Sequence, residues 1–354
     1  MSIILNLLVF VIVLTVIVAF HEFGHFLLAK KAGVYVYEYS IGMGPKIFGW
    51  KKGETDYSIR AIPIGGYCQL AGEDMDEDDA KKVPKNRRLQ NKTAWQRFLI
   101  MVFGPLNNFI LAVVILFFVA LIWGGTTMNP VITSVEEGSA ALEAGLKDGD
   151  TVLKINGHKI DTSDDIALYL AIANPKKETV FKVERKDGTY KTIKVKPKLV
   201  KETVKGKEQK SYHYGVAIQQ EKTKGFINAF VYTGRKTASI FKQMFVTVSY
   251  LFTGGIKVTQ LSGPVGIYSV VGESRAGGVA NVLYLMAFLS INVGFINLLP
   301  IPAFDGGHIL FIVIELIKGS PVNPEIENKI HMIFLILLMV LMLFITFNDI
   351  LRLI

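Results

Sequence analysis

Residues 2–25 read SIILNLLVFVIVLTVIVAFHEFGH, and this stretch decides the class of fold. No charged side chain occurs in it before Phe20, and the first basic pair, Lys30 and Lys31, follows it. A run of 18 or more apolar residues can cross the roughly 30 Å hydrocarbon core of a bilayer as a helix. The sequence therefore predicts a transmembrane helix over about residues 3–29.

The motif at the end of this stretch is HEFGH, an HExxH sequence at residues 21–25. On a helix, His21 and His25 lie one turn apart on the same face, with Glu22 beside them. Two histidines placed in this way can bind a zinc ion that carries a water molecule, and the glutamate can take the proton of that water. Three ionisable residues within a membrane helix are costly and indicate a functional site. The motif therefore favours hydrolytic metal chemistry inside a membrane.

The composition also indicates a membrane protein. The mean hydropathy is +0.38 and 51% of the 354 residues are hydrophobic, values that are rare for a soluble domain. A single cysteine, Cys68, excludes an internal disulfide and a cysteine-rich structural zinc site. The net charge of +9 does not indicate nucleic-acid binding, because the lysines are dispersed or flank apolar segments.

Four apolar segments are predicted to span the bilayer, because each is long enough to cross it as a helix. They cover residues 3–29, 98–123, 282–299 and 330–347. A fifth segment, 226–252, is interrupted by Arg235, Lys236 and Lys242. A basic side chain at the centre of a span costs about 2.5–3.5 kcal/mol on insertion. This segment is therefore predicted to be an amphipathic helix that lies along the membrane interface.

The distribution of basic residues predicts the orientation of the spans. The loop 30–97 carries thirteen lysines and arginines, whereas no basic side chain precedes the first span. The positive-inside rule places this loop in the cytoplasm. Both termini and the region 124–224 then lie outside. The HExxH motif falls near the cytoplasmic end of its helix, and the residues after the third span lie on the same side.

A catalytic zinc ion usually has three protein ligands and a water molecule, so a third ligand must come from another segment. Asp305 is an acid in an otherwise apolar stretch after the third predicted span. Pro300 and Pro302 interrupt the helix just before it, and irregular backbone at membrane depth is tolerated where it lines a wet cavity. His308 is a competing ligand, and the alternative that Asp305 is an ordinary turn residue also stays open.

Three motifs carry a family resemblance: HEFGH, GPLNN at residues 104–108, and NLLPIPAFDGG at residues 297–307. In this order they resemble the site-2 protease family of intramembrane zinc metalloproteases. The chain is similar to the bacterial regulator-of-sigma-E protease branch, in a short form with one PDZ domain, over nearly its whole length. Phe304 departs from the pattern, because leucine commonly precedes the Asp-Gly pair. Both side chains are apolar, so we expect a change in cavity shape and not in metal ligation.

The resemblance implies roles for individual residues. The ligands that it implies for Zn²⁺ are His21, His25 and Asp305. It implies Glu22 as the general base, and it implies that Asn297 and Asn108 shape the site or bind the substrate backbone. It also implies that the cytoplasmic loop forms a membrane-associated sheet whose edge pairs with extended substrate.

The residues of that loop favour β-hairpins independently. Alternating β-forming residues and turn residues run from 34 to 67, with Gly42 and Gly44 in one of the turns. We predict these two glycines to be substrate-binding, because a sheet edge can hold an unwound helix by main-chain hydrogen bonds. The alternative is a hairpin that only caps the fold. The acidic run at 73–79 is predicted to be a solvated, mobile loop.

The region outside the membrane resembles a bacterial PDZ domain over residues 124–200. Its motif includes GSAALEAGLKDGD at 138–150, and a strand pair follows, turned by Asp187 and Gly188. Such a domain can add a peptide strand to an exposed edge, or it can act as a size filter that blocks bulky substrates. The filter is favoured here. A polar strap at 201–210 and a GPVG loop at 263–266 are expected to follow.

The predicted fold is an α-helical polytopic membrane protein with four transmembrane helices, a cytoplasmic membrane-associated β-hairpin sheet and an inserted extracytoplasmic PDZ (α+β) domain. The predicted parts are a first membrane half (1–123), the PDZ domain (124–200), a linker with the amphipathic helix and the GPVG loop (201–280), and a second membrane half (281–354).

The function that these observations predict is intramembrane zinc metalloendopeptidase activity in the inner membrane of a bacterium. The expected substrates are single-pass proteins, such as anti-sigma-factor-like proteins or remnant signal peptides, already trimmed by an upstream site-1-type protease. This is regulated intramembrane proteolysis. Two other classes are weighed against it: a catalytically silent PDZ adaptor or chaperone, and a metal transporter. An adaptor would be expected to have a damaged HExxH motif, and a transporter would need polar residues along several spans.

Overall fold

The fold is mostly helical, with several small sheets. The structure, a computed structural model, describes residues 2–73, 82–204, 207–218 and 220–353. The α-helices in this part of the chain are α1 (Ser2–Lys31), α2 (Ala94–Trp123), α3 (Ala140–Ala144), α4 (Ser163–Ala171), α5 (Phe226–Phe252), α6 (Pro264–Ala276), α7 (Val279–Asn297), α8 (Asp305–Lys318) and α9 (Pro324–Leu353). The predicted mobile loop at 73–79 falls outside the described residues, apart from Glu73.

The strands are short except for the first two. They are β1 (Val36–Lys52), β2 (Thr55–Leu70), β3 (Gly125–Thr126), β4 (Ser134–Val135), β5 (Thr151–Ile155), β6 (His158–Lys159), β7 (Thr179–Glu184), β8 (Tyr190–Val195), β9 (Lys198–Val204), β10 (Lys207–His213), β11 (Val216–Ala217) and β12 (Lys222–Thr223).

Four of the described helices are long and apolar enough to cross a membrane. The candidate spans are Ile3–Lys31, Ala94–Trp123, Val279–Asn297 and Glu325–Arg352, which belong to α1, α2, α7 and α9. This confirms the predicted number and order of spans. The helices extend a few residues beyond most of the predicted limits, because polar residues at helix ends continue the helical hydrogen bonding that hydropathy alone does not reveal.

Helix α5 is not among these candidate spans, and its basic residues have partners on the protein. Lys236 Nζ lies 2.6 Å from Asp164 Oδ2, and Lys242 Nζ lies 3.0 Å from Asp165 Oδ2. Both aspartates belong to α4. The two lysines that interrupt the apolar segment therefore bind carboxylates of a neighbouring helix, and Arg235 donates to the carbonyl of Thr127. The location of α5 along a membrane interface stays a prediction.

The chain divides into two compact units, residues 1–119 with 257–354, and residues 120–256. The second unit contains a four-stranded antiparallel sheet in the order β6-β5-β7-β8. Its core includes Ile132, Leu146, Val152, Ile166 and Phe181, all fully buried. Helix α4 begins at a capping box, in which the side chain of Thr162 accepts from the N–H of Asp165. The assignment of this unit as a PDZ domain stays a prediction.

The described part of the expected polar strap at 201–210 lies in two paired strands. Strands β9 and β10 pair residue by residue, from Lys198 opposite His213 to Val204 opposite Lys207. Charged residues predicted a linker, but β-branched residues occur among them and Leu199 pairs across the strands with Tyr212. Such cross-strand apolar pairs stabilise a hairpin.

The expected GPVG loop is also incorrect, because Pro264 begins helix α6. Proline is well suited to the first helical position, where its missing N–H needs no partner. Asp349 of α9 is buried, and its Oδ2 accepts hydrogen bonds from the N–H groups of Gly263 and Gly266, both at 2.8 Å. The motif therefore joins the start of α6 to the far end of α9.

Replacement of Asp349 by alanine is expected to destabilise this junction. Two N–H groups would lose their acceptor, and the loss of a helix cap costs about 0.5–2 kcal/mol. We expect the apparent melting temperature in detergent to fall by a few degrees. Asn348→Ala is the matched control, because the half-buried Asn348 side chain donates to the Phe344 carbonyl within its own helix. Equal shifts for the two variants would contradict the capping role.

Strands β1 and β2 form a sheet that is wider than a simple hairpin. Residues 38–41 pair on one side with 66–69 and on the other with 56–59, because both strands bend back on themselves. The segment 66–70 therefore forms an outer strand of this sheet. The Tyr39 hydroxyl donates to the carbonyl of Ala19 at 2.8 Å, so the sheet contacts α1 within its candidate span.

The two glycines in the bend of β1 have structural reasons of their own. Gly42 and Gly44 have φ of +87° and +82°, a conformation that other residues rarely adopt. A Cβ atom on Gly42 would lie 2.7 Å from the carbonyl oxygen of Ile62. The bend therefore requires glycine irrespective of substrate. Substrate binding by these residues stays a prediction.

Candidate active site

Two histidines from α1 and one aspartate from α8 meet in the first unit. Asp305 Oδ2 lies 3.1 Å from His21 Nε2 and 3.4 Å from His25 Nε2. The two Nε2 atoms are 3.2 Å apart. Both histidines are buried, and Asp305 Oδ2 is inaccessible and makes no hydrogen bond within the described part of the chain. The structure therefore brings together the three residues that the resemblance implies as ligands.

The separations of these three atoms match those of ligands around one zinc ion. Zinc binds imidazole nitrogen and carboxylate oxygen at about 2.0–2.2 Å in tetrahedral geometry, which places neighbouring ligand atoms about 3.3–3.5 Å apart. The observed separations are 3.1, 3.2 and 3.4 Å. Two nitrogens and one oxygen are a donor set typical of catalytic zinc sites. The residues present therefore fit a zinc ion.

The electrostatics of Asp305 suit a ligand. Burial alone would raise the pKa of its carboxyl, but the imidazoles of His25 and His21 that face it hold this pKa well below its usual range. A carboxylate must be ionised to bind a metal. Asp305 therefore stays in the form that ligation requires.

The tautomer of His25 is determined by the backbone of α2. His25 Nδ1 lies 2.9 Å from the carbonyl oxygen of Ile100. A carbonyl can only accept, so Nδ1 carries a proton, and Nε2 is the ring nitrogen left to bind a metal. Metal-binding histidines generally donate their other ring nitrogen to such a partner, which orients the ring.

Asn108 of α2 plays the same part for His21. Its amide nitrogen is 3.4 Å from His21 Nδ1, and its Oδ1 is buried without a hydrogen-bond partner. When the amide is rotated by half a turn, Oδ1 faces His21 Nδ1 and accepts a hydrogen bond from its N–H. His21 Nε2 is then free to bind a metal. Asn108 is fully buried, and Ser290 Oγ donates to its carbonyl at 2.8 Å. The structure thus places Asn108 beside the imidazole, where it can orient His21, and substrate binding by Asn108 stays a prediction.

Glu22 lies between two cavities that share the metal-binding group. A cavity of about 310 Å³ is lined by Glu22, Asn297, Phe304 and Asp305 among others. A second, of about 180 Å³, is lined by Glu22, Asp305 and residues of β2. Cys68 and Leu70 are the residues of β2 that line this second cavity. Strand β2 therefore forms a wall of the cavity beside the Glu22 carboxylate.

Cys68 itself is a packing residue in the second cavity. Burial raises the pKa of its thiol, and the nearby negative charges of Glu22 and Glu73 raise it further. The thiol is therefore protonated at neutral pH and is a poor metal ligand. This agrees with the absence of thiol or histidine neighbours in the sequence around it.

The segment between α7 and α8 places Asp305 beside α1. Helix α7 ends at Asn297 and α8 begins at Asp305, with Pro300 and Pro302 between them. A Cβ on Gly306 would lie 2.0 Å from the carbonyl oxygen of Leu299. The start of α8 packs so closely on the preceding turn that only glycine fits after the aspartate. The Asp-Gly-Gly pattern thus has a steric origin.

His308, the competing ligand in the sequence, lies elsewhere. Its Nδ1 is 3.4 Å from Glu327 Oε1, and its ring stacks on that of His331 with centroids 4.2 Å apart. It lines the larger cavity, although it is not part of the His21, His25 and Asp305 group. The tertiary structure therefore favours Asp305 as the third ligand.

Two glycines allow α1 and α2 to meet at the metal-binding group, and sequence reasoning did not single them out. A Cβ on Gly24 would lie 2.2 Å from the carbonyl oxygen of Phe103, and one on Gly104 would lie 2.1 Å from His25 Nε2. Both glycines occur inside quoted motifs, HEFGH and GPLNN, so a signal existed. No sequence signal pointed to the carbonyl of Ile100, because every residue has a backbone carbonyl.

Gly104→Ala is expected to displace His25 and weaken zinc binding. The loss should be at least the 10–100-fold that removal of an outer-shell partner causes, with a parallel loss of activity. Zinc content measured at buffered free zinc tests this expectation. Gly234→Ala is the matched control, since a Cβ there has nothing within 4 Å. Full zinc occupancy in Gly104→Ala would contradict this expectation and would show that α2 moves to make room while His25 stays in place.

Comparisons with known proteins identify the family of the chain. A sequence model of peptidase family M50 matches residues 9–341. The chain is 36% identical to the regulator of sigma-W protease RasP of Bacillus subtilis, over 97% of this chain and 98% of that protein. It is 34% identical to the zinc metalloprotease RasP of Bacillus licheniformis, over 97% and 98%, and 31% identical to that of Geobacillus kaustophilus, over 96% of each.

These matches extend over nearly the whole chain, including both membrane halves and the second unit. Relatives named zinc metalloproteases show that the predicted enzyme class and the zinc cofactor are correct. The four apolar helices indicate in addition that the chain is a membrane protein. The chain therefore belongs to peptidase family M50, the site-2 protease family of zinc metalloproteases.

Proposed function

We propose that this zinc metalloprotease cleaves single-pass membrane proteins within their transmembrane segment. His21, His25 and Asp305 hold the zinc ion, and Glu22 is the general base. The observation that carries the proposal is the convergence of three ligand atoms, 3.1–3.4 Å apart, at the end of a candidate span and beside a cavity that also contains Glu22.

The roles of the residues follow from their positions. A bound zinc ion supplies a polarised water molecule and a Lewis acid for the scissile carbonyl. Glu22, which lines the cavity beside the ligands, takes a proton from that water and returns it to the leaving amine. Asn297, at the end of α7, lines the same cavity and can hydrogen-bond the substrate backbone there.

The outer segment of the β1–β2 sheet provides a means of presenting substrate. Residues 66–70 pair on one side with 36–41, and Cys68 and Leu70 from this segment line the smaller cavity beside Glu22. A transmembrane helix uses all its backbone groups internally and must unwind before hydrolysis. An extended stretch can pair with a strand edge, which offsets the lost helical hydrogen bonds.

Two further parts of the proposal rest on the sequence and on the family. The basic residues of loop 30–97 favour a cytoplasmic sheet and active site, with both termini outside. The substrates are trimmed first by an upstream protease in the bacterial inner membrane. The unit 120–256, as a PDZ-like domain, restricts access by substrates that retain bulky outer domains. The similarity to a relative named a regulator of sigma-W protease supports substrates of the anti-sigma-factor kind.

Cleavage of a defined substrate in nanodiscs tests the proposal. One single-pass substrate should carry a short outer segment and a second the same helix fused to a bulky folded outer domain. We expect mass spectrometry to locate a cut within the helix of the short substrate, with slower cleavage of the bulky one. A zinc chelator should stop the reaction and added zinc should restore it. A cut outside the helix would overturn intramembrane cleavage, and equal rates would overturn only the filter.

A further inference from the structure

A second group of metal-binding side chains lies on the wall of the larger cavity. His308 is in the first turn of α8, and Glu327 and His331 are four residues apart on α9. One ligand atom from each lies within 4.8 Å of the other two. His308 and His331 line the cavity of about 310 Å³ that also contains Asp305.

The separations within this group suit ligands around an ion better than direct hydrogen bonds. Glu327 Oε1 is 3.4 Å from His308 Nδ1 and 3.8 Å from His331 Nε2. Hydrogen bonds from nitrogen to oxygen measure about 2.7–3.2 Å. Ligand atoms around one tetrahedral ion with bonds of about 2.0–2.2 Å lie about 3.3–3.5 Å apart. The separation between Glu327 and His308 falls in this range, and the separation between Glu327 and His331 is slightly longer.

The state of His331 points in the same direction. Its Nε2 is inaccessible and has no hydrogen-bond partner in the described part of the chain. A buried polar atom without a partner is costly and calls for an explanation. A metal ion between His331 Nε2 and Glu327 Oε1 would satisfy both atoms.

We infer that His308, Glu327 and His331 form a second transition-metal site, distinct from the group of His21, His25 and Asp305. Two imidazoles and one carboxylate favour a borderline divalent cation such as Zn²⁺ over Mg²⁺ or Ca²⁺, which prefer oxygen ligands. The fourth coordination position faces the cavity.

The position of this site gives it a mechanical role. Helix α9 is largely exposed along its length within the described chain, and Asp349 attaches its far end to α6. The metal site attaches the opposite end to α8, close to Asp305. The ion thereby holds α9 as a wall of the catalytic cavity, and its loss loosens that wall.

Zinc stoichiometry of the full chain tests this inference. The protein is dialysed in detergent against buffered free Zn²⁺, and bound metal is measured by mass spectrometry. We expect two zinc ions per chain in the wild type, corresponding to the two groups. Glu327→Gln and His331→Gln should each bind one ion. The matched controls Glu325→Gln, in the same turn of α9, and His213→Gln, in the second unit, should bind two.

Hydrogen exchange provides a readout of the mechanical role. Zinc should slow amide exchange at the starts of both α8 and α9 in His25→Ala, where only the second site is left. The same zinc addition should have no effect there in the double variant His25→Ala with His331→Gln. Two different variants, His331→Gln and Glu327→Gln, are used so that the conclusion does not depend on the correct folding of a single one.

The outcomes separate this inference from the proposed function. One ion in the wild type that is lost in His25→Ala and kept in His331→Gln would overturn the second site and leave the catalytic site intact. Two ions in the wild type that persist in His25→Ala but fall to one in His331→Gln would contradict the proposed catalytic ligands and support the second site. Two bound zinc ions per chain in both Glu327→Gln and His331→Gln would overturn the inference.

Discussion

Glu22→Gln is expected to lower the rate of cleavage by about 10²–10⁴-fold, the usual contribution of a general base. Glutamine has nearly the same shape and can occupy the same position in the cavity. It cannot take a proton from water. The zinc ligands are untouched, so zinc content should be unchanged. Single-turnover cleavage and zinc analysis of the same preparation provide both values.

Glu137→Gln is the control for this variant, because it removes an exposed carboxylate of the second unit and should cleave as fast as the wild type. Two results would contradict the assignment of Glu22. Undiminished cleavage by Glu22→Gln would mean that another group is the base. Loss of zinc along with activity would mean that Glu22 supports the metal site and that its role as a base is unproven.

Asp305→Ala is expected to abolish both catalytic zinc binding and cleavage. It removes one of three ligands, so the affinity should fall by more than the 10–100-fold that outer-shell changes cause. Without Asp305, His21 and His25 retain only two nitrogens, which is too few for a stable catalytic site. Zinc titration and cleavage of the short substrate check this expectation.

His308→Gln is the informative comparison for Asp305→Ala, since the sequence left both residues as candidates. We expect His308→Gln to keep the zinc ion that depends on His25, and Asp305→Ala to lose it. The reverse result would reassign the third ligand to His308. Thermal unfolding of both variants shows whether either loss reflects a damaged fold, because α8 starts at Asp305.

Much of the membrane architecture could be predicted from single segments. Hydropathy over 18 or more residues identified α1, α2, α7 and α9 as spans, because burial in lipid acts on each segment separately. The same reasoning excluded α5, whose lysines would be costly in lipid. The structure adds the partners of those lysines, Asp164 and Asp165, which are distant in sequence.

The predictions for 201–210 and for the GPVG segment did not hold, because each depends on contacts made far along the chain. Charge suggested a linker at 201–210, whereas cross-strand pairing with residues up to His213 makes a hairpin. Glycine and proline suggested a loop at 263–266, whereas a carboxylate about 80 residues later, Asp349, caps a helix there. The composition of each segment gives no information about its partner, which is the opposite strand in the first case and Asp349 in the second.

The sequence by itself determined the spans and the family, since these depend on hydropathy and on motifs whose residues are adjacent. The HExxH spacing also determined that two imidazoles share a face, because helix periodicity alone requires it. Only the tertiary structure decided which acid meets them. Asp305 comes within 3.1 Å of His21 because the turn after α7 packs against α8, and His308 is drawn to Glu327 instead. Close packing between segments distant in the chain has no local signature, so the complete site exists only in the folded protein.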